Sequence, residues 1–411
     1  MAIAPLLPNA DRFATSGAMV WEFGGVGKLS CAIANGAFHI ILLVDTRNSP
    51  DVNDFESPAP WTFHANLLDL DSFGKLNRSK NITPSHAIQL SRDSFLYNAL
   101  LTQAINVRNF INIMTDSIQH FIEPHIQDLG GFQARRLLPS DVLALVGPFI
   151  FFDHLGPAVF PPGRGVDVRP HPHINLATVT YLFEGVLLHR DSVGSVQEIR
   201  PGAVNWMTAG RGIVHSERTP QDERNKEAIL HGIQTWIALP NEHEETDPWF
   251  RHHPATELPA WEDTGVSFTL IAGEAYGRTS PVQTFSPMIY LDAQLTPGNQ
   301  FTLPGDYSEQ AVYSVTEGLV IDGMPLEQHR LAVLNSGTSV NISASGTARC
   351  IVIGGEPVGE RHKWWNFVSS RLSRIEQAKL DWKEGRFAQV PQETEFIPLL
   401  EESPLKAEQP L

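Results

Sequence analysis

The feature that most constrains the fold of this chain is a series of short apolar segments, separated by turn residues, that begins near Val142. The segments include TVTYLF, VLLH, VQEI, VNWM and GIVHSE, and the turns between them include EG, DSVG and RPGA. β-Branched and aromatic residues favour strands, whereas Gly and Pro at the joints favour tight turns. Several short strands at regular spacing predict an antiparallel sandwich or barrel.

A second series of the same kind begins near Met288, with segments such as MIYLDAQL, AVYSVTEGLVI, RLAVL, SVNIS and RCIVIG. The stretch Tyr181–Gly185 of the first series is echoed by Tyr313–Gly318 of the second, which is one residue longer. Repetition on this scale predicts two duplicated β domains packed face to face. Chance similarity of turn residues is the alternative interpretation.

The beginning of the chain fits neither series, because polar stretches such as DTRNSPDVNDFES interrupt it. Met114 stands just before the regular pattern begins. Either translation starts natively at Met114 and the upstream part is mis-assigned, or the upstream part is a genuine, poorly ordered extension. The predicted domains are therefore an N-terminal extension (1–113), a first β domain (114–255) and a second β domain with a terminal helix (256–411).

The terminal helix is predicted in the stretch FVSSRLSRIEQAKLDWKEGRF. Ser369 or Ser370 can cap its start, and Gly385 lies past its end. We expect a structural helix that closes over the second β domain. Its apolar positions have spacings of three, four and seven residues, which place them on one helix face: Val368, Leu372, Ile375 and Trp382.

Composition excludes several classes of function. A formal net charge of −16 argues against binding nucleic acid or anionic lipid, both of which need a basic face. The two cysteines, Cys31 and Cys350, exclude a site of four thiolates and fit a reducing compartment. The opening residues MAIAPLLPNADRF lack the basic flank and long apolar stretch of a signal peptide. We expect a soluble, cytoplasmic monomer.

Two pairs of residues have the chemistry of metal ligands. RPHPH places His171 and His173 two residues apart, and GIVHSE places His215 and Glu217 two residues apart. Side chains alternate faces along a strand, so each pair shares a face, and a small barrel can bring the pairs together. Pro172 cannot donate to a ladder and therefore favours an edge strand or a strand start. Histidines that are merely exposed or hydrogen-bonded are the alternative.

Three imidazoles and one carboxylate suit one divalent transition metal, Fe(II), Mn(II), Ni(II), Cu(II) or Zn(II), rather than Ca(II). Four protein ligands on an octahedral ion leave two positions for water, oxygen or a substrate. A purely structural ion is more often enclosed by four ligands in a tetrahedron. The donor set therefore favours a site for chemistry or sensing.

Five blocks of the sequence carry a specific resemblance. FFDHLGPAVFPPG, HPHINLATVTYLFEG, HRDSVG, PGAVNWMTAGRGIVHSE and GGEPVGE…WWNFVSS are similar to signature blocks of the pirin family, within the cupin superfamily. The likeness runs in order from about Ile122 to Pro398. It implies an all-β fold of two tandem cupin (jelly-roll) barrels, with a metal, commonly Fe(II), in the N-terminal barrel alone.

Carried onto this sequence, the metal ligands of the family fall on His171, His173, His215 and Glu217. Many members have the pattern His-x-His-x-x-x-Glu, but Ala177 stands at the last position here. In pirins the role of that carboxylate resembles the role of Glu217, so we expect the site to persist with altered affinity or tuning.

The same resemblance implies that the second barrel has lost its metal. When the two blocks are aligned at their shared tyrosines, His171 and His173 correspond to Leu303 and Gly305. No His-x-Glu pair follows LNSGTSVNISASG either.

Some pirins act as quercetin 2,3-dioxygenases, which implies a small aromatic substrate such as a flavonol. Its 3-hydroxyl and 4-carbonyl oxygens can chelate an open-sided Fe(II), and Glu217 can act as the catalytic base that accepts the 3-hydroxyl proton. The competing interpretation is a non-enzymatic, metal-dependent regulator that acts through protein contacts, as a transcription co-regulator or a modulator of a metabolic enzyme. A third is another cupin activity on an unrelated small molecule.

An aromatic substrate needs an apolar wall beside the ion. The candidates are Val179, Phe183, Trp206 and Trp236, with ordinary core packing as the alternative for each. His189 either lies at the mouth of the site or faces water, and we favour the second.

Overall fold

The structure of the chain, a computed structural model, describes the backbone of six strands between residues 18 and 90, and residues 117–129 and 131–399 in full. The chain divides into two compact units, Met1–Phe110 and Ile111–Leu411. Met114, on which the alternative start depends, lies outside the described residues.

The described strands of the first unit form one antiparallel sheet. Its strands follow one another along the sheet in the order β1-β2-β3-β4-β5, and the last strand, β6, also pairs with the fourth. That the residues before 114 form a separate extension stays a prediction. The strands are β1 (Ala18–Phe23), β2 (Gly27–Ala34), β3 (Ala37–Asp45), β4 (Trp61–Leu70), β5 (Leu76–Arg78) and β6 (Ile88–Leu90).

The first barrel of the second unit is formed by two packed sheets. Its strands are β8 (His125–Asp128), β9 (Gln133–Leu138), β10 (Phe149–Phe160), β11 (Asp167–His173), β12 (Leu176–Gly185), β13 (Leu187–Asp191), β14 (Val196–Ile199), β15 (Val204–Thr208), β16 (Ile213–Arg218), β17 (Ala228–Ala238) and β18 (Trp249–His253). A seven-stranded sheet has the order β18-β15-β12-β17-β10-β9-β8, and a four-stranded sheet has the order β11-β16-β13-β14. One helical turn, α1 (Gln221–Arg224), precedes β17, and 3-10 turns span Asn241–His243 and Ala255–Glu257.

The second barrel repeats this plan. Its strands are β7 (Ile118–Ile122), β19 (Ala260–Asp263), β20 (Val266–Ala275), β21 (Arg278–Thr279), β22 (Met288–Leu295), β23 (Gln300–Leu303), β24 (Glu309–Ser314), β25 (Leu319–Ile321), β26 (Met324–Leu326), β27 (Leu331–Leu334), β28 (Val340–Ala344) and β29 (Ala348–Gly355). The large sheet has the order β19-β20-β22-β29-β24-β27-β7, with β21 on β20, and the small sheet has the order β23-β28-β25-β26. The predicted all-β fold of two tandem cupin barrels is confirmed, and the domain boundary at 255/256 stays a prediction.

Within the seven-stranded sheet of the first barrel, β12 and β15 are buried on both faces. Val179 and Trp206 belong to an apolar cluster shared with the second barrel, in which Phe149 packs edge-on to Tyr290 at 5.4 Å. The alternate residue Thr180 lies on the opposite face and hydrogen-bonds to Glu217 of the small sheet. Alternation along one strand therefore separates the contact between barrels from the interior of the first barrel.

A short hairpin and a helix follow the second barrel: β30 (His362–Trp364), β31 (Phe367–Ser369) and α2 (Leu372–Lys383). The helix and its end before Gly385, which has a φ of +69°, are confirmed. The predicted caps are wrong, because Arg371 is the residue before the helix, and Ser369 and Ser370 donate to Glu244 instead.

The position of the helix also differs from the prediction. Val368 lies in β31 rather than on the helix, and the buried helix residues Ile375 and Ala378 pack with Ile174 of the first barrel and with Phe367. The helix therefore covers the end of β11 instead of closing over the second barrel. Within residues 117–129 and 131–399, the helices are too short or too polar to cross a bilayer.

The glycine that ends each repeated Tyr…Glu-Gly stretch has a left-handed backbone. Gly185 has a φ of +91° and Gly318 a φ of +89°, a region in which side chains other than that of Gly are strained. A Cβ atom on Gly185 would lie 2.0 Å from the carbonyl oxygen of Ile229, whereas a Cβ on Gly318 would lie 3.2 Å from its nearest neighbour. Any other residue would therefore be strained at both positions, but only at Gly185 would its side chain also clash with the backbone.

We expect Gly185→Ala to lower the free energy of unfolding by about 3 kcal/mol or more, because backbone strain and a backbone clash combine. Gly318→Ala, the matched control, should cost only about 1–2 kcal/mol from strain. Urea denaturation of both variants measures the difference. Equal losses of unfolding free energy in the two variants would show that the backbone moves away from Ile229 at no energetic cost.

Three histidines from the two barrels meet at the contact between them. His154 lies between its partners, with Nε2 at 2.8 Å from His231 Nε2 and Nδ1 at 2.7 Å from Tyr313 Oη. The ring of His329 lies 5.2 Å from that of His154. Burial, and then the neighbouring histidines and arginines, lower the pKa of His154 to about 2 and the pKa of His329 to about 4.

This cluster should make stability fall in acid. In the unfolded chain these imidazoles regain a pKa near 6.5, so below that pH the unfolded state binds more protons than the folded state. The free energy of unfolding should therefore decrease as the pH falls from about 6.5 towards 4, and His154→Gln should make this decrease shallower. Urea midpoints at several pH values test this, with the exposed His120→Gln as control. Parallel pH profiles for the wild type and His154→Gln would contradict it.

Candidate metal centre

Two neighbouring strands of the small sheet, β11 and β16, carry the predicted ligands. β16 lies between β11 and β13, so that His215 is in register with His171 on one side, and Glu217 with His189 on the other. β11 pairs with β16 alone within its sheet, which confirms the edge position predicted from Pro172. Strand alternation then directs the ligand side chains towards the interior of the barrel.

The structure brings the three predicted histidines together. One ring nitrogen from each of His171, His173 and His215 lies within 4.8 Å of the other two. The ring centroids are 4.4 to 5.1 Å apart, and all three side chains are buried. Among the described residues, this is the one group of three or more His, Cys, Asp or Glu side chains with ligand atoms so close.

Backbone carbonyls determine which nitrogen of two rings is available. His171 Nδ1 lies 2.9 Å from the carbonyl oxygen of Arg169, and His173 Nδ1 lies 3.2 Å from that of Asn366. A carbonyl oxygen can only accept, so Nδ1 carries the proton in both rings and donates it. The lone pair of Nε2 is then free for a metal, the arrangement typical of metal-binding histidines.

The third ring supplies a direct test of whether a metal fits. Both nitrogens of His215 are buried, and neither has a hydrogen-bond partner. A buried polar atom without a partner costs on the order of 1–3 kcal/mol, so such atoms are rare in native structures. An ion bound between the three rings would satisfy one of these nitrogens, and therefore the residues fit a metal.

The histidines are also in the protonation state that a metal needs. Burial lowers the pKa of His171 to about 4, although the carbonyl of Arg169 opposes this shift. Burial and the neighbouring imidazoles lower the pKa of His173 and His215 well below the ordinary value. All three rings are thus neutral at pH 7, and no proton has to leave before a metal binds.

Glu217 lies two residues beyond His215 on the same strand and is partly buried. Thr180 Oγ1 lies 3.1 Å from Glu217 Oε1 and 2.8 Å from Gln234 Oε1, so its single proton is donated to one of them at a time. Burial raises the pKa of Glu217, while His189 and Thr180 oppose the shift. The close group of ligand atoms consists of the three histidines, and a fourth bond from Glu217 stays a prediction.

The prediction that His189 faces water is wrong. Its ring is buried, stacks on Phe250 at 4.3 Å and lies 5.3 Å from the ring of His215. His189 Nε2 lies 2.9 Å from Asp191 Oδ2, and the other carboxylate oxygen accepts the backbone N–H of Ser195. The sequence contained a signal, since Leu187, His189 and Asp191 alternate along β13 and share one buried face.

The predicted apolar wall is correct at one position of four. The Trp236 ring lies 4.9 Å from that of His173 and stacks on Phe151 at 4.1 Å. Val179, Phe183 and Trp206 instead belong to the apolar cluster between the barrels. The wall beside the histidines is thus formed by Trp236 and, on the side of His189, by Phe250.

The second barrel is apolar where the first has its histidines. β23 and β28 occupy the same positions in the strand order as β11 and β16. They contribute only apolar side chains to the interior cluster of that barrel: Phe301, Leu303, Val340, Ile342 and Ala344. Ala177 of the first barrel lies in the cluster between the barrels, on the same strand face as Val179.

Two jelly-roll barrels, of which the first encloses three converging histidines, define a bicupin with a site that can hold a divalent metal. Comparison with known families agrees: the family described as "Pirin" matches residues 131–237, and "Pirin C-terminal cupin domain" matches residues 290–388. The chain belongs to the pirin family of the cupin superfamily.

Individual relatives support this assignment. A "Pirin-like protein" of Caulobacter vibrioides is 49% identical over 280 residues, which span 67% of this chain and 96% of the relative. A "Putative quercetin 2,3-dioxygenase" of Pseudomonas aeruginosa is 42% identical over 62% of this chain and 80% of its own length. The crystal structure of a quercetin 2,3-dioxygenase from Acinetobacter baumannii is 34% identical, with a TM-score of 0.65, over 70% of this chain and 97% of its own.

Replacing His215 with Ala should abolish stoichiometric binding of a divalent metal, because two imidazoles then remain of three. His231→Ala, which changes a histidine of the cluster between the barrels, is the matched control and should bind about one ion per chain like the wild type. Elemental analysis after anaerobic reconstitution and desalting measures both. Retention of the metal by His215→Ala would place the ion elsewhere.

Proposed function

We propose that this pirin is a quercetin 2,3-dioxygenase that uses one divalent transition metal, Fe(II) first among the candidates, to open a flavonol with O2. The observation that carries the proposal is the cluster of three buried imidazoles with a carboxylate two residues from one of them. Nitrogen ligands of this kind suit Fe(II) and its neighbours, and three protein ligands leave positions for a substrate. The relatives that carry the dioxygenase name support the same reaction.

Fe(II) bound to the three histidines would supply the Lewis acidity that favours a flavonol enolate and the redox capacity to engage O2. Glu217 accepts the proton of the 3-hydroxyl group, since it shares one face of β16 with His215, whereas the nearby carboxylate of Asp191 is bonded to His189 and Ser195. Thr180 orients this carboxylate when it donates its hydroxyl proton to it, and Gln234 Oε1 competes for the same proton. A base that is positioned and partly removed from water is suited to this transfer.

The remaining residues of the site bind and shield the substrate. Trp236 offers an apolar surface beside His173, which suits the aromatic rings of a flavonol. His189, held by Asp191, fills the space between Phe250 and His215 and cannot turn without breaking its buried hydrogen bond. Water is thereby excluded from one side of the site.

Glu217→Gln should reduce turnover of quercetin by a factor of about 100 or more while much of the metal is retained, because an amide cannot accept the proton. Glu198→Gln, an exposed carboxylate on β14 of the same sheet, is the matched control and should leave the rate unchanged. The assay admits oxygen to anaerobic, iron-loaded protein with quercetin and follows the loss of visible absorbance and the release of carbon monoxide. Turnover by Glu217→Gln at the wild-type rate would contradict the role of Glu217.

The same assay separates catalysis from regulation. If the wild type turns over no quercetin with Fe, Mn, Ni, Cu or Co, the enzymatic proposal fails and the metal-dependent regulator acting through protein contacts takes its place. A monomeric state, a cytoplasmic location and the lack of nucleic-acid binding stay predictions from composition.

A further inference from the structure

The end of the described chain runs along the outside of the metal-bearing sheet. We name residues 392–397 the terminal strap. The backbone N–H of Ile397 donates to the carbonyl oxygen of Pro170, in β11, over 2.8 Å. Arg190 of β13 donates to Gln392 Oε1 over 3.0 Å. The strap therefore contacts strands on both sides of β16.

The strongest contacts of the strap are with β16 itself. Glu393 accepts hydrogen bonds from Ser216 Oγ at 2.8 Å and from Arg218 at 3.0 and 2.8 Å. Ser216 and Arg218 are the outward-facing neighbours of His215 and Glu217, because side chains alternate along a strand. Any displacement of the strand at Ser216 is therefore a displacement of both inward-facing residues.

Burial distinguishes Glu393 from the other acidic residue of the strap. Ser216 is fully buried and the side chain of Glu393 is 10% exposed, whereas Glu395, which also bonds to Arg218, is 56% exposed. A bidentate, largely buried bond between carboxylate and guanidinium fixes geometry, whereas an exposed pair contributes little. Glu393 is thus the residue of the strap that can fix the position of β16.

The strap has a firm attachment of its own. Trp382 Nε1 of α2 donates to the carbonyl oxygen of Ile397 at 3.0 Å, and the rings of Trp382 and Phe396 lie 6.0 Å apart. The same helix packs against Ile174, the residue after His173. The strap and the helix therefore support the outer side of both ligand-bearing strands from a single anchor.

We propose that Glu393 is a positioning residue of the metal centre, which acts through Ser216 and Arg218 to hold His215 opposite His171 and His173. The proposal rests on the metal centre described above, but not on the reaction assigned to it. In the absence of Glu393, β16 remains paired to β11 and β13 but loses its outer support.

The test uses Co(II) as the probe, since its absorption spectrum reports ligand geometry. Glu393→Ala should weaken Co(II) binding about 10- to 100-fold in competition with a chelator, as is typical for residues that support metal ligands, and should change the ligand-field bands. Ser216→Ala should have a smaller effect in the same direction. Glu393→Gln, which keeps an oxygen acceptor, should recover part of the affinity. Glu395→Ala is the matched control and should bind within a factor of about two of the wild type.

The outcomes separate this proposal from the others. Unchanged Co(II) affinity and spectrum in Glu393→Ala, with only a lower melting temperature, would show that the strap serves stability alone and would overturn it. If Glu393→Ala does not fold, Ser216→Ala decides in the same way. A wild type that binds no Co(II) would overturn the metal centre itself, whereas tight binding without turnover of quercetin would overturn only the proposed reaction.

Discussion

The structure depends on the alternation of side chains along strands whose two faces meet different surroundings. In β12, Val179 and Ala177 pack into the cluster between the barrels, while Thr180 faces the metal centre and bonds to Glu217. In β16, His215 faces inward while Ser216 bonds to the terminal strap. Because side chains alternate with a period of two residues, one strand contributes to both faces. A register shift of one residue would exchange the faces and disrupt the contacts on each of them.

The two barrels fill their interiors with different kinds of side chain. The second barrel fills its interior with apolar side chains such as Leu303 and Val340, which stabilise it by burial alone. The first barrel buries three imidazoles in the equivalent place, and the two nitrogens of His215 have no partner. Burying such groups is unfavourable unless something else pairs with them. The second barrel is therefore satisfied by apolar packing, whereas the first has buried nitrogens that a bound ion could pair with.

Local pattern was sufficient to predict the ligands, and insufficient to predict their surroundings. His171 with His173, and His215 with Glu217, could be placed on shared faces because face sharing depends only on neighbouring residues. The wall was harder to predict, since β12 is buried on both faces from Leu176 to Phe183, and burial alone does not show which face meets which partner. Thr178 and Thr180, the polar residues within that run, marked the inner face. Likewise, the position of α2 over Ile174 is a contact between residues about 200 positions apart, which no local pattern encodes.

Contacts between distant parts of the chain support the least supported strand of the site. β11 supplies two of the three imidazoles, yet it is an edge strand with one hydrogen-bonded neighbour in its sheet, and edge strands have unpaired backbone groups and less support. Residues that follow the second barrel cover this edge: Ile174 bridges to Phe367, Pro170 accepts from Ile397, and Asn366 accepts from the ring of His173. Ligands must be held within about half an ångström of their working positions to bind a metal well. The segments that follow the second barrel therefore give the edge strand the support that its own sheet supplies on one side only.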